Sequence, residues 1–330
     1  MNNKNIALIA GGDSSEAVVS LKSAAGIRSF LKDESYNLYT IVITGKKWYY
    51  QDEQGQQIDV DKNDFSILVD GQKTKFDFAY IIIHGTPGEN GILQGYFDLI
   101  GIPYSTCGVM ASAVTFNKFI CNKLLKSFDI AVADSVVLRK NTEVDTTSIL
   151  VQLGLPCFVK PNVGGSSFGV TKVKSEEALK PAIEAAFAEG EEVIVEAFMQ
   201  GTEVTCGCYM TDGEPQALPI TEVVTENEFF DYDAKYVAGQ ADEITPARIS
   251  AELTKEIQQC TERIYRLLDC RGIIRVDYII IEGRPHLLEV NTTPGMTPTS
   301  FIPQQIAAAG LEIGNVLSQI IEAQIKRVEA

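Results

Sequence analysis

Two consecutive runs of mostly alternating residues decide the fold of this chain: GIIRVDYIIIEGRPHLLEVNTTPG, residues 272–295. Both flanks of Gly283 predict β-strands, and alternation along a strand places Arg275 with Asp277 on one face and Glu289 with Asn291 on another. An odd-numbered connection, such as a three-residue loop in which Gly283 supplies a positive φ, would bring the two polar faces together, whereas an even-numbered one would separate them. We expect the faces to coincide.

A cluster of oxygen-bearing side chains on one sheet face predicts a metal site. Asp277 and Glu289 would repel each other there unless a cation neutralised them, and together with Asn291 they form the all-oxygen ligand set that suits Mg2+. The alternative is an edge hairpin whose charged residues simply face solvent. The Gly/Pro turn at residues 292–295 favours the metal interpretation, because its free backbone N–H groups could bind an anion.

The N-terminal part of the sequence predicts an open α/β sheet. The apolar run from Ile6 to Ala10 breaks at Gly11-Gly12, and the helical pattern that follows suggests a cap at Ser14 or Ser15. Strands at 38–43 and 76–83 and a helix at 93–100 continue the alternation expected of such a sheet. The apolar side of the first helix is predicted from four residues: Val18, Leu21, Ala25 and Phe30.

Three loops are candidates for ligand binding. Residues 157–169, CFVKPNVGGSSFG, predict a strand, a Gly/Ser loop and a further strand, with Lys160 as a phosphate-binding charge; the spacing is not that of a Walker A loop, and a flexible hairpin tip is the alternative. The loop from His84 to Gly91 follows an apolar strand, where α/β sheets bind ligands, although it could equally be a simple turn. The aromatic and acidic stretch 225–246 predicts a surface loop or lid.

Composition excludes several classes of protein. The 330 residues are 45% hydrophobic and carry a net charge of −16, which disfavours nucleic acid and anionic membranes as partners. Neither a secretory signal nor a membrane-spanning segment is predicted. The seven cysteines lack the paired spacing of a zinc or disulfide framework, so we expect reduced core thiols in the cytoplasm; metal binding by Cys206 and Cys208 is the weaker interpretation.

With these residues identified, the chain resembles the D-alanine–D-alanine ligase family over nearly its whole length. One family signature is HGTPGENGILQG at residues 84–95, and a second joins Arg275 and Asp277 to the segment LLEVNTTPG at 287–295. The resemblance implies an α/β protein with an N-terminal Rossmann-like open parallel sheet domain, residues 1–116. A two-subdomain ATP-grasp fold follows, with a central subdomain at 117–205 and a C-terminal one at 206–330.

The resemblance also implies roles for individual residues. Asp277, Glu289 and Asn291 match the family's magnesium ligands, with two ions expected and Mn2+ as a substitute. Glu16 matches the carboxylate that receives the first D-alanine, and His84 a further substrate contact. The family's acceptor and catalytic positions correspond to Ser166, Tyr236, Arg275, Gly295, Ser300 and Phe301. Its ATP-binding positions correspond to Lys118, Lys160, Ser166, Ser167, Glu196, Met199, Glu203 and Lys235.

The activity that the resemblance implies is ATP-dependent ligation of two D-alanine molecules to D-alanyl-D-alanine through an acyl phosphate, for peptidoglycan synthesis, by a cytoplasmic homodimer. Relatives that use D-lactate usually carry Phe where this chain has Tyr236, so Tyr236 favours the dipeptide; ligation to D-lactate or D-serine is the alternative. A nicotinamide oxidoreductase is disfavoured because Gly11-Gly12 is not a dinucleotide fingerprint. A nucleotide-binding regulator without turnover is disfavoured by the complete set of charged site residues. Ala17-Val18 and Ile274 depart from the residues usual in the family, which leaves the geometry of those loops open.

Overall fold

A computed structural model describes residues 3–14, 16–32, 35–52, 54–165, 169–211, 213–225 and 241–329. Its helices and strands alternate along the chain. In these ranges the helices are α1 (Ala17–Phe30), α2 (Ile92–Ile100), α3 (Val109–Phe116), α4 (Lys118–Lys126), α5 (Thr146–Leu153), α6 (Glu176–Ala186), α7 (Ala251–Leu267), α8 (Phe301–Ala308) and α9 (Ile313–Glu329). None of these helices is long and apolar enough to cross a bilayer.

The strands form three sheets. The first sheet has the order β6-β5-β4-β3-β2-β1-β7, the second β10-β9-β11-β8, and the third β15-β14-β12-β16-β17 with β13 paired to β12. Their bounds are β1 (Lys4–Gly11), β2 (Tyr36–Thr44), β3 (Lys47–Gln51), β4 (Gln57–Asp61), β5 (Ser66–Val69), β6 (Gln72–Lys75), β7 (Phe78–Ile81), β8 (Ser135–Arg139), β9 (Cys157–Pro161), β10 (Thr171–Val173), β11 (Glu192–Ala197), β12 (Thr202–Thr211), β13 (Glu214–Ala217), β14 (Thr221–Thr225), β15 (Ala241–Ile244), β16 (Ile273–Ile281) and β17 (Arg284–Asn291).

The first sheet is only partly the open parallel sheet that the sequence predicted. Strands β2, β1 and β7 are parallel neighbours, as expected. Strands β3 to β6 extend the sheet as an antiparallel meander, and the sequence analysis had assigned no strand to residues 47–75. The parallel part positions the site, because the carboxyl ends of β1 and β7 lie side by side and lead into the loops that carry Glu16 and His84.

Helix α1 packs through a face other than the predicted one. Val18 is 62% exposed and Leu21 41%, while the small residues Ser20 and Ser23 are buried. The Ser20 hydroxyl accepts a hydrogen bond from Gly11 N at 3.0 Å and donates one to Ile82 O at 2.8 Å. Small side chains let the helix approach the sheet closely, so the apolar pattern pointed to the wrong face. Ser14 does not cap the helix by a side-chain bond; its hydroxyl accepts from Glu16 N at 3.2 Å.

The cores connect the N-terminal sheet to the C-terminal part of the chain. One buried cluster contains Leu8 and Ile27 from the first sheet and its helix together with Met296, Ile302 and Leu317. The three sheets fall close to the three predicted ranges, although β12 begins at Thr202, before the predicted boundary at 206. The domain boundaries themselves stay predictions.

Helix α7 is capped by the Ser250 hydroxyl, which accepts from Leu253 N, and it buries Ile257 and Ile264. The predicted loop 225–246 is wrong for residues 241–244, which form β15 beside β14; residues 226–240 lie outside the described ranges. All seven cysteines lie in the described ranges as free thiols, and six of them are buried.

Candidate active site

The strand pair β16–β17 brings its polar residues to one face, as predicted. Asp277 pairs with Glu289 and Arg275 with Asn291 across the antiparallel ladder. The connection is nevertheless an even, two-residue turn in which Glu282 and Gly283 both have positive φ, at 48° and 78°, so the expected three-residue loop is wrong. A β-bulge at Leu288, between the Asp277–Glu289 and Tyr278–Leu287 pairs, adds the missing residue and restores the shared face.

Asp277 accepts four hydrogen bonds on this face. It accepts from Arg275 Nε at 2.8 Å and Nη2 at 2.7 Å, from Thr205 Oγ1 at 2.6 Å and from Asn291 Nδ2 at 3.1 Å. The Arg275 and Asp277 side chains are 16% and 9% exposed. This forked pair fixes the guanidinium beside the carboxylate, because Arg and carboxylate match each other in two parallel bonds.

The donor set of this face fits a hard divalent cation. Directly opposed residues on adjacent strands hold their Cβ atoms about 4.5–5.5 Å apart, so Asp277 and Glu289 can share an ion. In the described ranges no group of three or more His, Cys, Asp or Glu residues is placed to hold a metal; the predicted set has two carboxylates and takes its third ligand from the amide of Asn291. Two carboxylates and an amide suit Mg2+, which also keeps positions for water or phosphate oxygens.

Two lysines with little exposed surface, Lys118 and Lys160, lie near this face. Lys160 Nζ is 2.6 Å from Glu196 Oε2, and the two residues are 8% and 4% exposed. Burial acts to lower the pKa of Lys160, but the charge and hydrogen bond of Glu196 outweigh it and leave that pKa raised. Lys118 donates to Gly164 O at 2.6 Å and lies 4.0 Å from Glu289 Oε2. Burial lowers the pKa of Lys118.

A cleft of about 980 Å3 lies between the second and third sheets. Its walls carry the charged side chains of Lys118 and Lys160 and apolar side chains such as Phe158 and Phe198, whose rings are 5.9 Å apart. A cleft with both charged and aromatic walls suits a molecule that has an anionic part and a flat ring. The sequence-predicted residues that line it are Glu16, Lys118, Lys160, Glu196, Met199, Glu203, Arg275, Asp277, Glu289 and Phe301.

A second cavity of about 400 Å3 adjoins the first. The two share Glu16, Lys118, Arg275, Glu289 and Phe301 as lining residues, so they meet beside the Arg275–Asp277 pair. The sequence-predicted residues that line only the second cavity are His84, Asn291, Gly295 and Ser300.

His84 lies at the inner wall of the smaller cavity. It is 7% exposed, its Nδ1 is 2.9 Å from Thr293 O, and its buried Nε2 has no hydrogen-bond partner in the described ranges. Burial lowers its pKa, which favours a neutral imidazole at the wall. Ser300 Oγ accepts from Thr297 N at 3.1 Å, and the Arg275 guanidinium lies 5.4 Å from the centre of the Phe301 ring.

Four predicted site residues lie outside the described ranges: Ser166, Ser167, Lys235 and Tyr236. The described structure adds residues to which sequence reasoning gave no role. Thr205 and Asn122 bind the carboxylates of Asp277 and Glu196, and Glu89 lines the smaller cavity with a pKa that burial raises to about 8. Strand alternation could have placed Thr205 on the same face as the predicted residue Glu203. Glu89 belongs to the sequence motif at 84–95, whereas no sequence signal indicated Asn122.

Comparisons with known proteins agree on one family. Residues 5–107 match a family model described as D-ala D-ala ligase N-terminus, and residues 124–322 match one described as D-ala D-ala ligase C-terminus. Over 320 residues, 97% of this chain and 98% of the relative, the sequence is 60% identical to a D-alanine–D-alanine ligase of Bacteroides fragilis.

Two solved structures share the fold. The VanG D-Ala:D-Ser ligase from Enterococcus faecalis superposes with a TM-score of 0.85 at 34% identity, covering 97% of this chain and 99% of that one. The D-alanine–D-alanine ligase from Bacillus anthracis, complexed with ATP, gives a TM-score of 0.79 at 30% identity and covers 99% of each chain.

Proposed function

This chain belongs to the D-alanine–D-alanine ligase family, and on that premise we propose that it joins two D-alanine molecules into D-alanyl-D-alanine with ATP as the energy source. The observation that carries the proposal is the meeting of two cavities at Lys118, Arg275 and Glu289. One is large enough for a nucleotide and the other for two small amino acids. A ligase of this kind needs the γ-phosphate of ATP and the carboxylate of the first amino acid at one point.

The reaction has two steps. The carboxylate of the first D-alanine attacks the γ-phosphate of ATP, which releases ADP and gives an acyl phosphate. The amine of the second D-alanine, once it has lost a proton, attacks the acyl carbon, and the C–O bond to phosphate breaks. The dipeptide and inorganic phosphate are the products.

The first step depends on charge neutralisation around the transferred phosphoryl group. Lys118 and Lys160 would bind the phosphate oxygens; both line the larger cleft, and Lys118 also lines the smaller cavity. Asp277, Glu289 and Asn291 would hold Mg2+, with a second ion beside it and Mn2+ as a substitute. The metal would supply Lewis-acid stabilisation of the crowded phosphate oxygens. Glu16 would receive the ammonium group of the first D-alanine, since it lines both cavities.

The second step builds negative charge on the acyl oxygen. Arg275 and the Gly295 N–H would stabilise this oxyanion, and Asp277 holds the guanidinium in place through two bonds at 2.7 and 2.8 Å. Ser300 and Phe301, which also line the smaller cavity, would hold the second D-alanine. Tyr236 favours an amine acceptor over D-lactate on the family pattern.

The direct test is product analysis. Phosphate release is expected when D-alanine, ATP and Mg2+ are supplied together, with D-alanyl-D-alanine as the product by mass spectrometry. D-lactate and D-serine are then offered in competition with D-alanine. Predominant formation of the ester or of D-alanyl-D-serine would overturn the acceptor assignment, and lack of ATP consumption by folded protein would overturn the ligase assignment.

The pair of Lys160 and Glu196 gives a pH prediction. In the wild type the pKa of Lys160 is raised above its ordinary value of 10.5, so its charge persists into alkaline solution. In Glu196→Gln burial acts without the compensating carboxylate, which lowers that pKa, and the lysine loses its proton as pH rises through the lower value. Glu289 still acts to raise that pKa but is the smaller contribution. We therefore expect the Mg-ATP affinity of the variant, measured by titration calorimetry over a series of pH values, to begin to fall at a lower pH than that of the wild type as the solution is made alkaline.

The control for this experiment is Glu191→Gln. Glu191 also pairs with a lysine, Lys140, at 3.1 Å, but both side chains are largely exposed. The Mg-ATP affinity of Glu191→Gln should change with pH as that of the wild type does. Parallel profiles for Glu196→Gln and the wild type would contradict the assignment of Lys160 to the phosphates.

We also propose that the protein acts in the cytoplasm, as a homodimer, in the supply of peptidoglycan precursors. The free thiols suit a reducing compartment, and the dimer is the arrangement that the family resemblance implies. Light scattering on the purified protein would test the dimer, and a monomeric mass across the working concentration range would contradict it.

A further inference from the structure

Gln305 is a fully buried polar residue on helix α8 (Phe301–Ala308), 0% exposed. The helix begins directly after Ser300, and its first residue is Phe301, so it leads out of the proposed acceptor site. One turn later Gln305 meets strand β12 (Thr202–Thr211) of the third sheet. A buried amide of this kind has to satisfy both its oxygen and its nitrogen, and it therefore specifies its neighbours closely.

The Gln305 amide fills a gap in the pairing of β12. Residues 203–205 of that strand pair with β14, and residues 208–211 pair with β13. Between these segments, Gln305 Oε1 accepts from Gly207 N at 2.9 Å and Gln305 Nε2 donates to Thr205 O at 3.0 Å. The side chain thus bridges the two paired segments by binding the β12 backbone as a neighbouring strand would.

Gly207 makes room for this arrangement. A Cβ atom at position 207 would lie 2.7 Å from Gln305 Oε1 and 2.6 Å from Ile302 Cδ1. Both distances are far below normal contact, and the surroundings are buried. An alanine at 207 would therefore push the amide of Gln305 and the end of the Ile302 side chain away from β12.

The contacts of Gln305 continue to the reacting centre. Thr205, whose carbonyl binds Gln305, donates its hydroxyl to Asp277 Oδ1 at 2.6 Å. Thr205 pairs with Asp277 and Gly207 with Arg275 across the β12–β16 ladder, so the backbone groups that Gln305 holds belong to the cross-strand partners of the forked ion pair. Gln305 Nε2 also donates to Thr221 Oγ1 at 3.0 Å, at the start of β14.

We propose that Gln305 is a positioning residue that fixes the acceptor-binding start of α8 relative to the Arg275–Asp277 pair. This inference rests on the proposed function. The acceptor amine must lie in line with the acyl carbon while Arg275 stabilises the oxyanion, and misplacement of a reacting group by about 1 Å costs about 100-fold in rate. Gln305 bonds α8 to the segment of β12 that pairs with Asp277 of β16. The start of the helix is therefore held at a fixed distance from Asp277.

The test compares phosphate release with dipeptide formation. When the acceptor is misplaced, water attacks the acyl phosphate, and the products are D-alanine and phosphate rather than dipeptide. In Gln305→Leu we expect the ratio of phosphate to dipeptide to rise from about 1 to 2 or more, and KM for the acceptor D-alanine to rise about 10-fold. KM for ATP should stay within about twofold, because the nucleotide cleft is formed by other residues. Gly207→Ala should produce the same pattern with Gln305 intact.

The matched control is Gln258→Leu. Gln258 lies on α7 and donates from Nε2 to Leu218 O at 3.1 Å, so this variant also removes a glutamine-to-backbone bond close to β12. Its product ratio and acceptor KM should equal those of the wild type, even if its melting temperature falls.

Two results would overturn the inference. One is a Gln305→Leu or Gly207→Ala enzyme that melts at a lower temperature but keeps the wild-type product ratio and acceptor KM; the residue would then only stabilise the fold. The other is an equal rise of the ratio in Gln258→Leu. Failure of the wild type itself to form dipeptide would instead refute the proposed function, so the two failures are distinguishable.

Discussion

Asp277→Asn is expected to lower kcat by about 100- to 1000-fold in a protein that still folds. Asp277 accepts four hydrogen bonds, from Arg275 twice and from Thr205 and Asn291. An asparagine offers one acceptor oxygen, and its NH2 group would face donors. The variant also loses a charge from the proposed metal ligands and leaves Arg275 without its forked partner.

The measurement is phosphate release with saturating D-alanine, ATP and Mg2+, accompanied by thermal denaturation. Asp269→Asn serves as the control, because Asp269 also pairs with an arginine two positions away, Arg271, at 3.2 Å, but is 87% exposed. Exposed pairs of this kind contribute little to stability. Retention of a tenth or more of wild-type kcat by folded Asp277→Asn would exclude Asp277 from the proposed role.

Arg275→Lys is expected to lower kcat by about 100-fold while KM for ATP changes little. Lysine keeps the positive charge, but it cannot make the two parallel bonds to Asp277 or present a planar donor to the acyl oxygen. The defect should therefore lie in the step that forms the dipeptide, in which negative charge develops on that oxygen.

A double variant tests whether the two residues act as a unit. When two residues act together, substitution of the second adds little once the first is lost. The double variant Asp277→Asn/Arg275→Lys should therefore have a kcat within a few-fold of that of the slower single variant. Multiplication of the two single losses would mean that Arg275 and Asp277 act independently, contrary to the geometry of the pair.

Sequence patterns predicted the elements whose apolar residues are continuous or alternate regularly. The continuous run at 6–10 and the largely alternating stretch at 273–281 form strands β1 and β16, and most residues of both are buried. Strands β4 and β6 were missed because their residues are largely polar and exposed. Strands β3 and β5 are more apolar but only five and four residues long. The face of α1 was mispredicted because Ser20 and Ser23 bury it through close approach and hydrogen bonds, which a hydrophobic pattern does not register.

The site residues could be predicted from the sequence where they occupy alternate positions along one strand. Asp277 and Glu289 could be placed on one face because alternation is a local property of each strand. Gln305 could not, since its partners at 205, 207 and 221 are about a hundred residues away in sequence. A buried glutamine on an otherwise ordinary amphipathic helix has no local signature, and only the fold reveals what it holds.

The bulge at Leu288 constrains how the hairpin can change length over evolution. Asp277 and Glu289 share a face only because the extra residue, Leu288, shifts the register that the two-residue turn sets. Deletion of one residue between Asp277 and Glu289 would rotate half of the ligand set to the opposite side, whereas removal of a cross-strand pair would preserve it. Functional homologues should therefore vary in this hairpin by even numbers of residues, and an odd gap in an alignment here should coincide with loss of the bulge.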